Sequence, residues 1–338
     1  MLSKKTLQNL FGFIVSVALI VWLYFSIAWG EVSSHLLSVN YWIIIPATFV
    51  FIIHFYLRAL RWRYLLPKTQ YQVGTSTLYD CIMIGNFTSY ILPLRAGEFI
   101  RPYCLSKVSP HTFAGSFASV VIERFFDLSV VLLSFAFILS RVEGLPEWVK
   151  QGALALGILA VGILLFIILG SFIPEQILKI CERLLFFLPA GLKGKTNKFL
   201  GDLLIGAAVV KDFYNLMRII FLSLLVWLSC YYLFYVFLFM FSFEFTFLMA
   251  VTVAVVVALA VAAPSAPGFI GVYQTACIAG FHIFAVSKEL AVTYSIITHL
   301  LNYILFALFA LIFFLRNDLK LKTIMQSKNE ELTSPDKA

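Results

Sequence analysis

The chain has 338 residues, 62% hydrophobic and 12% charged, with a mean hydropathy of +0.96. A soluble domain carries about 45–50% apolar and about 25% charged residues, so this composition excludes one and predicts an integral membrane protein. The formal net charge of +8 comes with no nucleic-acid-binding motif and fits loops held on the cytoplasmic side of a membrane.

A helix that spans a bilayer needs about 20 apolar residues. The first such run, Phe11 to Trp29, follows Lys4 and Lys5 and lacks a small-x-small cleavage site, which predicts a retained signal anchor. A loop is expected over Gly30 to Asn40. The second run starts at Tyr41 and exits through Arg58, Arg61, Arg63 and Lys68. Thr75 to Leu92 then leads into a stretch, Asn86 to Arg101, that carries Pro93, Arg95, Gly97, Glu98 and Arg101 among apolar neighbours. Proline lacks an amide donor and glycine favours no helix, so a break is predicted there. In lipid a broken backbone is tolerated only where protein or a water-filled cavity satisfies its polar groups.

A long helix over Thr112 to Leu139, a loop over Ser140 to Val149 and a span over Lys150 to Phe172 come next. Residues 174–218 alternate basic and apolar side chains at helical spacing, which predicts amphipathic helices on the membrane surface. A span over Ile219 to Phe241 follows. Phe247 to Ala263 is apolar and breaks at a segment containing Pro264, Pro267, Gly268, Gly271 and Gln274. The last span covers Leu290 to Leu315, and residues 323–338 are expected to be a disordered cytoplasmic tail.

The two broken segments read as re-entrant hairpins, about residues 75–107 and 246–286. With the N-terminus inside, six full spans then alternate. Of 25 Lys and Arg residues, only Arg141, Lys150 and Lys288 fall outside and Arg124 lies within a helix, leaving 21 on the cytoplasmic side. The expected fold is all-α: a single transmembrane domain over residues 1–322, inverted-repeat-like, its hairpins entering from opposite faces. The expected location is the cytoplasmic (inner) membrane, multi-pass, with both termini in the cytoplasm. Two interrupted segments in corresponding halves point to a midplane binding site.

Candidate binding residues follow from that layout. Glu123 and Asp127 share a helix face with Ser116 and Ser119, and Arg124 can pair with Asp127 or Glu98. These residues serve either a charged lining for a headgroup or a structural ion pair, and charge at this depth favours the lining. Arg95 suits a lipid phosphate through its planar fork, with Glu98 beside it, while Arg101 either joins this binding site or serves only to neutralise Glu98. Arg58, Arg61 and Arg63 read first as anchors facing lipid headgroups, at about 1 kcal/mol each. Gln274 is a neutral polar candidate at the cavity, with Asn86, Pro264, Pro267, Gly268 and Gly271 shaping it. Ser295, Thr298, His299 and Asn302 form a polar stripe that reads as helix packing.

Five scattered cysteines and five histidines show neither a CxxC pair nor metal-ligand spacing. No cofactor, metal, nucleophile or nucleotide-binding loop is expected, and the chain reads as a non-enzyme that does not use ATP directly.

At these residues the chain resembles the membrane domain of lysylphosphatidylglycerol synthases, a flippase-like family. The resemblance rests on Leu57-Arg-Ala-Leu-Arg-Trp62, on the Pro-x-Arg-x-Gly-Glu core within Asn86 to Arg101, on Glu123-Arg-x-x-Asp127, and on Pro264-x-x-Pro-Gly268-x-x-Gly271. Their order covers about residues 5 to 320. The resemblance implies translocation of an aminoacylated or otherwise modified lipid from the inner to the outer leaflet. The family's second hairpin often carries Glu where this chain has Gln274, which makes a lysyl lipid a less fitting substrate. After Arg316 only a short tail remains in place of the soluble synthase domain, so the chain is expected not to make the lipid.

The function expected is a lipid flippase or transporter for a phospholipid, an aminoacyl-phospholipid or a polyprenyl-linked lipid. The alternative is an accessory subunit for a membrane glycosyltransferase or lipid-modifying enzyme, docked through residues 174–218. Membrane lipids are the expected partners; nucleic acid is not, and homo-oligomerisation stays open.

Overall fold

A computed structural model describes residues 21–22, 24–67, 73–92, 95–141, 147–173, 176, 183, 209, 211–262 and 266–317. Lys68, Pro93, Pro264, most of the Phe11–Trp29 run, most of the basic segment 174–218 and the 323–338 tail lie outside the described residues. Among those described, every regular element is helical.

Helix α1 covers Trp29–Ser38, where a loop was expected. Ala28 leaves helical angles (φ −79°, ψ 88°) and ends the preceding apolar run, after which Glu31 and His35 fall in the first and last turns of α1. The Glu31 carboxylate suits the positive end of the helix dipole, and Val32 is buried beside Ile27 and Val292. Asn40 then caps a short 3-10 turn, Tyr41–Ile43, by accepting from the Trp42 amide at 3.2 Å. Helix α2, Ile44–Leu65, continues from it. At about 1.5 Å per residue its 22 residues reach roughly 33 Å, the thickness of a hydrocarbon core.

Helices α3, Thr75–Ile91, and α4, Gly97–Val108, pack on each other across the first break. Gly97 lies so close to α3 that a Cβ there would collide with the Gly85 carbonyl oxygen. Helix α5, Phe113–Arg141, and α6, Glu147–Phe172, pack together next. Glu147 thus opens α6 rather than lying in a loop. Helix α7, Phe213–Leu238, starts at Asp212, whose carboxylate accepts from the amides of Tyr214 (3.1 Å) and Asn215 (3.3 Å). Arg218 therefore belongs to this long helix and not to a surface segment.

Helices α8, Phe247–Ala262, and α9, Val272–His282, form the second hairpin. It also closes on a glycine: a Cβ on Gly280 would lie 2.9 Å from Val253 Cα. Between them runs a 3-10 turn, Pro267–Phe269, and Gly268 (φ 70°) and Gly271 (φ 84°) take the left-handed angles glycine tolerates best. Helix α10, Lys288–Asn317, completes the described chain.

Three of these helical segments are long and apolar enough to cross a membrane: Tyr41–Leu65, Phe213–Leu238 and Lys288–Phe313. Helices α5 and α6 match them in length at 29 and 26 residues, although α5 carries three charges at its middle. Leu300, Ile304, Leu308 and Leu311 on α10 are each about half exposed. They recur at helical spacing, as do Phe221, Leu224 and Leu228 on α7. An apolar stripe left uncovered on helices this long faces lipid. On the inner side Phe51 and Phe55 of α2 lie 5.2 Å from Phe306 of α10, ring to ring, and Tyr90 of α3 lies 5.2 Å from the same ring.

Candidate functional site

Helix α5 places Glu123, Arg124 and Asp127 in the middle of the bundle, and the centre of the site is Glu123, fully buried at 0% exposure. Its Oε2 accepts from Arg101 Nη2 at 2.8 Å, and its Oε1 accepts from Arg101 Nη1 at 3.1 Å. The same Oε1 accepts from Arg58 Nη2 (3.2 Å) and Arg124 Nη2 (2.9 Å), and Arg61 Nη2 lies 3.2 Å away. One carboxylate thus gathers four arginines from α2, α4 and α5.

Asp127, one turn on, holds the other end of Arg61. Its Oδ1 accepts from Arg61 Nη1 at 2.7 Å and from Trp227 Nε1 of α7 at 3.0 Å, and its Oδ2 lies 3.5 Å from Arg124 Nη1. Ser223 of α7 accepts a second bond from Arg61 Nη1 at 3.2 Å. Arg101 lies over the Trp62 ring, 3.8 Å from its centroid. The Trp62 indole in turn donates to Ser119 Oγ at 2.7 Å, and Ser119 donates to the Ser116 carbonyl at 2.6 Å. A buried charge without a partner is costly, which is why the carboxylates and cations interleave here.

Two expectations are corrected. Arg58 and Arg61 are not surface anchors: the Arg61 side chain is 0% exposed and that of Arg58 14% exposed. They sit one turn apart on the face of α2 turned toward Glu123, so the buried acids capture them before lipid headgroups do. Arg63, on the opposite face, is exposed. Arg101 does not neutralise Glu98; its fork takes both oxygens of Glu123, leaving Glu98 3.7 Å from Arg124 Nη1.

The tips of the two hairpins meet. Arg95, in the first break, holds a left-handed backbone (φ 52°) and donates through Nη2 to the Val261 carbonyl at 2.5 Å. That carbonyl belongs to the last turn of α8, where unpaired oxygens and the helix dipole favour a cation. The Arg95 guanidinium also lies 5.6 Å from the Phe269 ring centroid, and Phe269 meets Tyr90 edge-on at 5.7 Å.

Where the tips meet, a cavity of ≈ 260 Å³ opens. Its polar wall holds Arg58, Arg95, Glu98 and Arg124, with Asn86 and Asn302 beside them. Val257, Ala258 and Val261 of α8 supply an apolar wall. The sequence-predicted residues therefore separate into two groups. Asn86, Arg95, Glu98 and Arg124 line the cavity, while Arg101, Glu123 and Asp127 stand behind it and hold the lining in place.

Gln274 is not in the lining. Its Oε1 accepts from the Gly271 amide at 2.8 Å, closing the start of α9, and its Nε2 lies 3.0 Å from His299 Nδ1. Pro267, Gly268 and Gly271 likewise shape the turn without facing the cavity; a Cβ on Gly268 would run into the Tyr303 hydroxyl. The polar stripe on α10 packs as expected: Thr298 bonds the Tyr273 hydroxyl (3.1 Å) and His299 meets Gln274. Asn302 departs from it and reaches the cavity.

Sequence reasoning missed His54, which lines the cavity with Nδ1 3.1 Å from the Val226 carbonyl and 3.0 Å from Ser229 Oγ. It lies four residues before Arg58, so the shared helix face was the available signal. Trp62 and Trp227 were missed as well, because a tryptophan in an apolar span carries no mark of its hydrogen bond. A second groove of ≈ 840 Å³ runs between α5 and α6. Its wall includes Leu133, Ala136, Ile158 and Val161 and offers little polar chemistry. Among the described residues, no group of three or more His, Cys, Asp or Glu side chains is placed to hold a metal ion.

The chain is 28% identical over 102 residues to a glycosyltransferase, AglD, of Haloferax volcanii, a match that covers 30% of this chain and 16% of that protein. It is 23% identical over 140 residues to the UPF0104 membrane protein MJ1595 of Methanocaldococcus jannaschii, covering 41% of this chain and 40% of that one. The chain thus matches less than half the length of either relative. No solved structure matches. Residues 9–310 match the family described as the lysylphosphatidylglycerol synthase TM region, and that length of agreement places the buried arginine cluster and both hairpins inside the matched region: the chain belongs to this family.

Proposed function

We propose that the protein moves a lipid with a polar or charged headgroup between the leaflets of the cytoplasmic membrane. The observation that carries this is the cavity where the two hairpin tips meet, charged on one wall and apolar on the other. Such a cavity accepts a headgroup while acyl chains stay in lipid. Ligand pockets commonly reach about 300–1,000 Å³, so a smaller space of ≈ 260 Å³ suits a headgroup rather than a whole lipid. The hairpins α3–α4 and α8–α9 enter the bilayer from opposite faces, with six full spans around them and both termini in the cytoplasm. Rocking of one half against the other exposes the cavity to each side in turn. The chain itself performs no covalent chemistry in this reading.

Leaflet exchange of labelled lipids in proteoliposomes tests it. Exchange above empty vesicles is expected for at least one of an anionic phospholipid, an aminoacyl-phospholipid and a polyprenyl-linked lipid. Rates equal to empty vesicles for all three would sink the proposal.

A second reading is an accessory subunit of a membrane glycosyltransferase or lipid-modifying enzyme. The match to the Haloferax protein, itself named a glycosyltransferase, favours it. In that case neutralising the lysines of residues 174–218 abolishes copurification with the enzyme, and Glu98→Gln has no effect on it.

A further inference from the structure

We infer that the cavity selects a phosphate-bearing headgroup of net negative charge and disfavours a cationic aminoacyl one. The inference rests on the translocation reading for what brings a lipid to the cavity, and it adds the class of lipid.

The argument is one of charge balance. Arg58, Arg61, Arg95, Arg101 and Arg124 surround three carboxylates, Glu98, Glu123 and Asp127. The cluster therefore holds a surplus of two positive charges. Its buried core is matched internally: Glu123 and Asp127 are consumed by Arg61 and Arg101, with further bonds from Arg58 and Arg124. The surplus falls on the cavity wall, where, among the described residues, three arginines face one carboxylate, Glu98. Burying unmatched charge is costly, and an anion in the cavity removes that cost.

The guanidinium groups on the wall point the same way. Among the described residues, Nε of Arg95 and of Arg124 is buried without a hydrogen-bond partner, as is Nε of Arg61 and of Arg101 in the core, but only Arg95 and Arg124 of these four line the cavity. Guanidinium groups recognise phosphate through several donors at once. Arg95 is held for this in a left-handed backbone that a non-glycine residue rarely adopts. Among the described residues its side chain donates to the Val261 carbonyl, a bond that fixes the position of the head without neutralising it. A lysyl headgroup would bring ammonium groups beside three arginines, and Glu98 alone, already 3.7 Å from Arg124, offsets little of that repulsion.

Trp227 lines the cavity, so intrinsic fluorescence of the detergent-solubilised protein reports occupancy. Phosphatidylglycerol, phosphatidylcholine, lysylphosphatidylglycerol and soluble glycerol 3-phosphate are titrated in turn. Saturable binding of phosphatidylglycerol is expected, at least tenfold tighter than of the zwitterionic and cationic lipids. Glycerol 3-phosphate is expected to bind at least tenfold more weakly than phosphatidylglycerol, because it lacks the lipid tails. Arg95→Gln is expected to weaken phosphatidylglycerol at least tenfold, Arg95→Lys less, and Glu98→Gln to tighten it several-fold. Neither position belongs to the Glu123 core, so both variants are expected to fold.

Equal or tighter binding of lysylphosphatidylglycerol or phosphatidylcholine would overturn the inference. So would weaker phosphatidylglycerol binding in Glu98→Gln. Glycerol 3-phosphate binding as tightly as the lipid would overturn the lipid as the source of the phosphate. Tight phosphatidylglycerol binding without leaflet exchange sinks the translocation reading and leaves this one standing. Exchange of lysylphosphatidylglycerol without phosphatidylglycerol binding does the reverse.

Discussion

The two hairpins share a plan and differ in content. Each is a pair of short helices that close on a glycine, Gly97 against α3 and Gly280 against α8, and each breaks at its tip. The first brings Arg95, Glu98 and Arg101 into the bundle. The second brings no charged side chain; it offers a backbone carbonyl, an aromatic ring and a sterically crowded turn. The difference teaches a division of labour. One hairpin carries charge into a place where charge is costly. The other supplies an apolar wall and uses the free end of α8 to hold Arg95 where it is needed.

The strongest way to break that picture is to remove the anchor of the charged hairpin. Glu123→Ala strips the shared partner from Arg58, Arg101 and Arg124, leaving buried cations unmatched. A loss of about 3–5 kcal/mol is expected, read as a large fall in the melting temperature of the purified protein. An unchanged melting temperature would mean that the first hairpin is held by packing alone.

The two glycine crossings sharpen the comparison at the next level. A methyl group at position 97 would collide with the Gly85 carbonyl oxygen, and one at position 280 would sit 2.9 Å from Val253 Cα. Overpacking typically costs about 1–3 kcal/mol and occasionally more. Gly280→Ala is expected within that range and Gly97→Ala beyond it, visible as lost yield of monodisperse protein. Equal tolerance of both would show that α3 and α4 can separate.

Arg95→Gly separates conformation from chemistry. Glycine suits φ 52°, so the relief of backbone strain offsets the lost bond to Val261 and stability changes by less than about 1 kcal/mol. Leaflet exchange is expected to fall to the level of empty vesicles. Retained exchange would remove Arg95 from the binding site.

The smallest effect belongs to the uncharged hairpin. Gln274→Glu keeps an acceptor for the Gly271 amide and places a carboxylate in the first turn of α9, which the helix dipole favours. Lipid preference is expected to stay as it was, with stability within about 1 kcal/mol. A shift toward cationic headgroups in the exchange assay would put position 274 in the cavity after all.

Much of the site was legible because charge in an apolar helix is conspicuous. Glu98, Glu123, Arg124 and Asp127 were named from that alone, as was Arg95 beside a break. Arg58 and Arg61 were misread because a basic cluster near the end of a span has the same pattern whether it faces lipid or protein. Gln274 was misread because its place in a broken segment hid its role as a cap. Trp227 passed unnoticed because a tryptophan in an apolar span carries no mark of its hydrogen bond, and His54 was overlooked although it lies one helical turn before Arg58.

The sequence by itself determined that this is a helical membrane protein with two interrupted segments, because hydropathy and proline or glycine breaks are local properties. It also marked out the charged residues that stand within apolar segments. Only the tertiary structure decided which of them pair and which face open space. Glu123 can accept from arginines 22 and 65 residues away only once α2, α4 and α5 come together, and no local pattern encodes that meeting. The same packing turned Gln274 from a candidate ligand into a helix cap, and set Arg95 and Arg124 on the cavity wall.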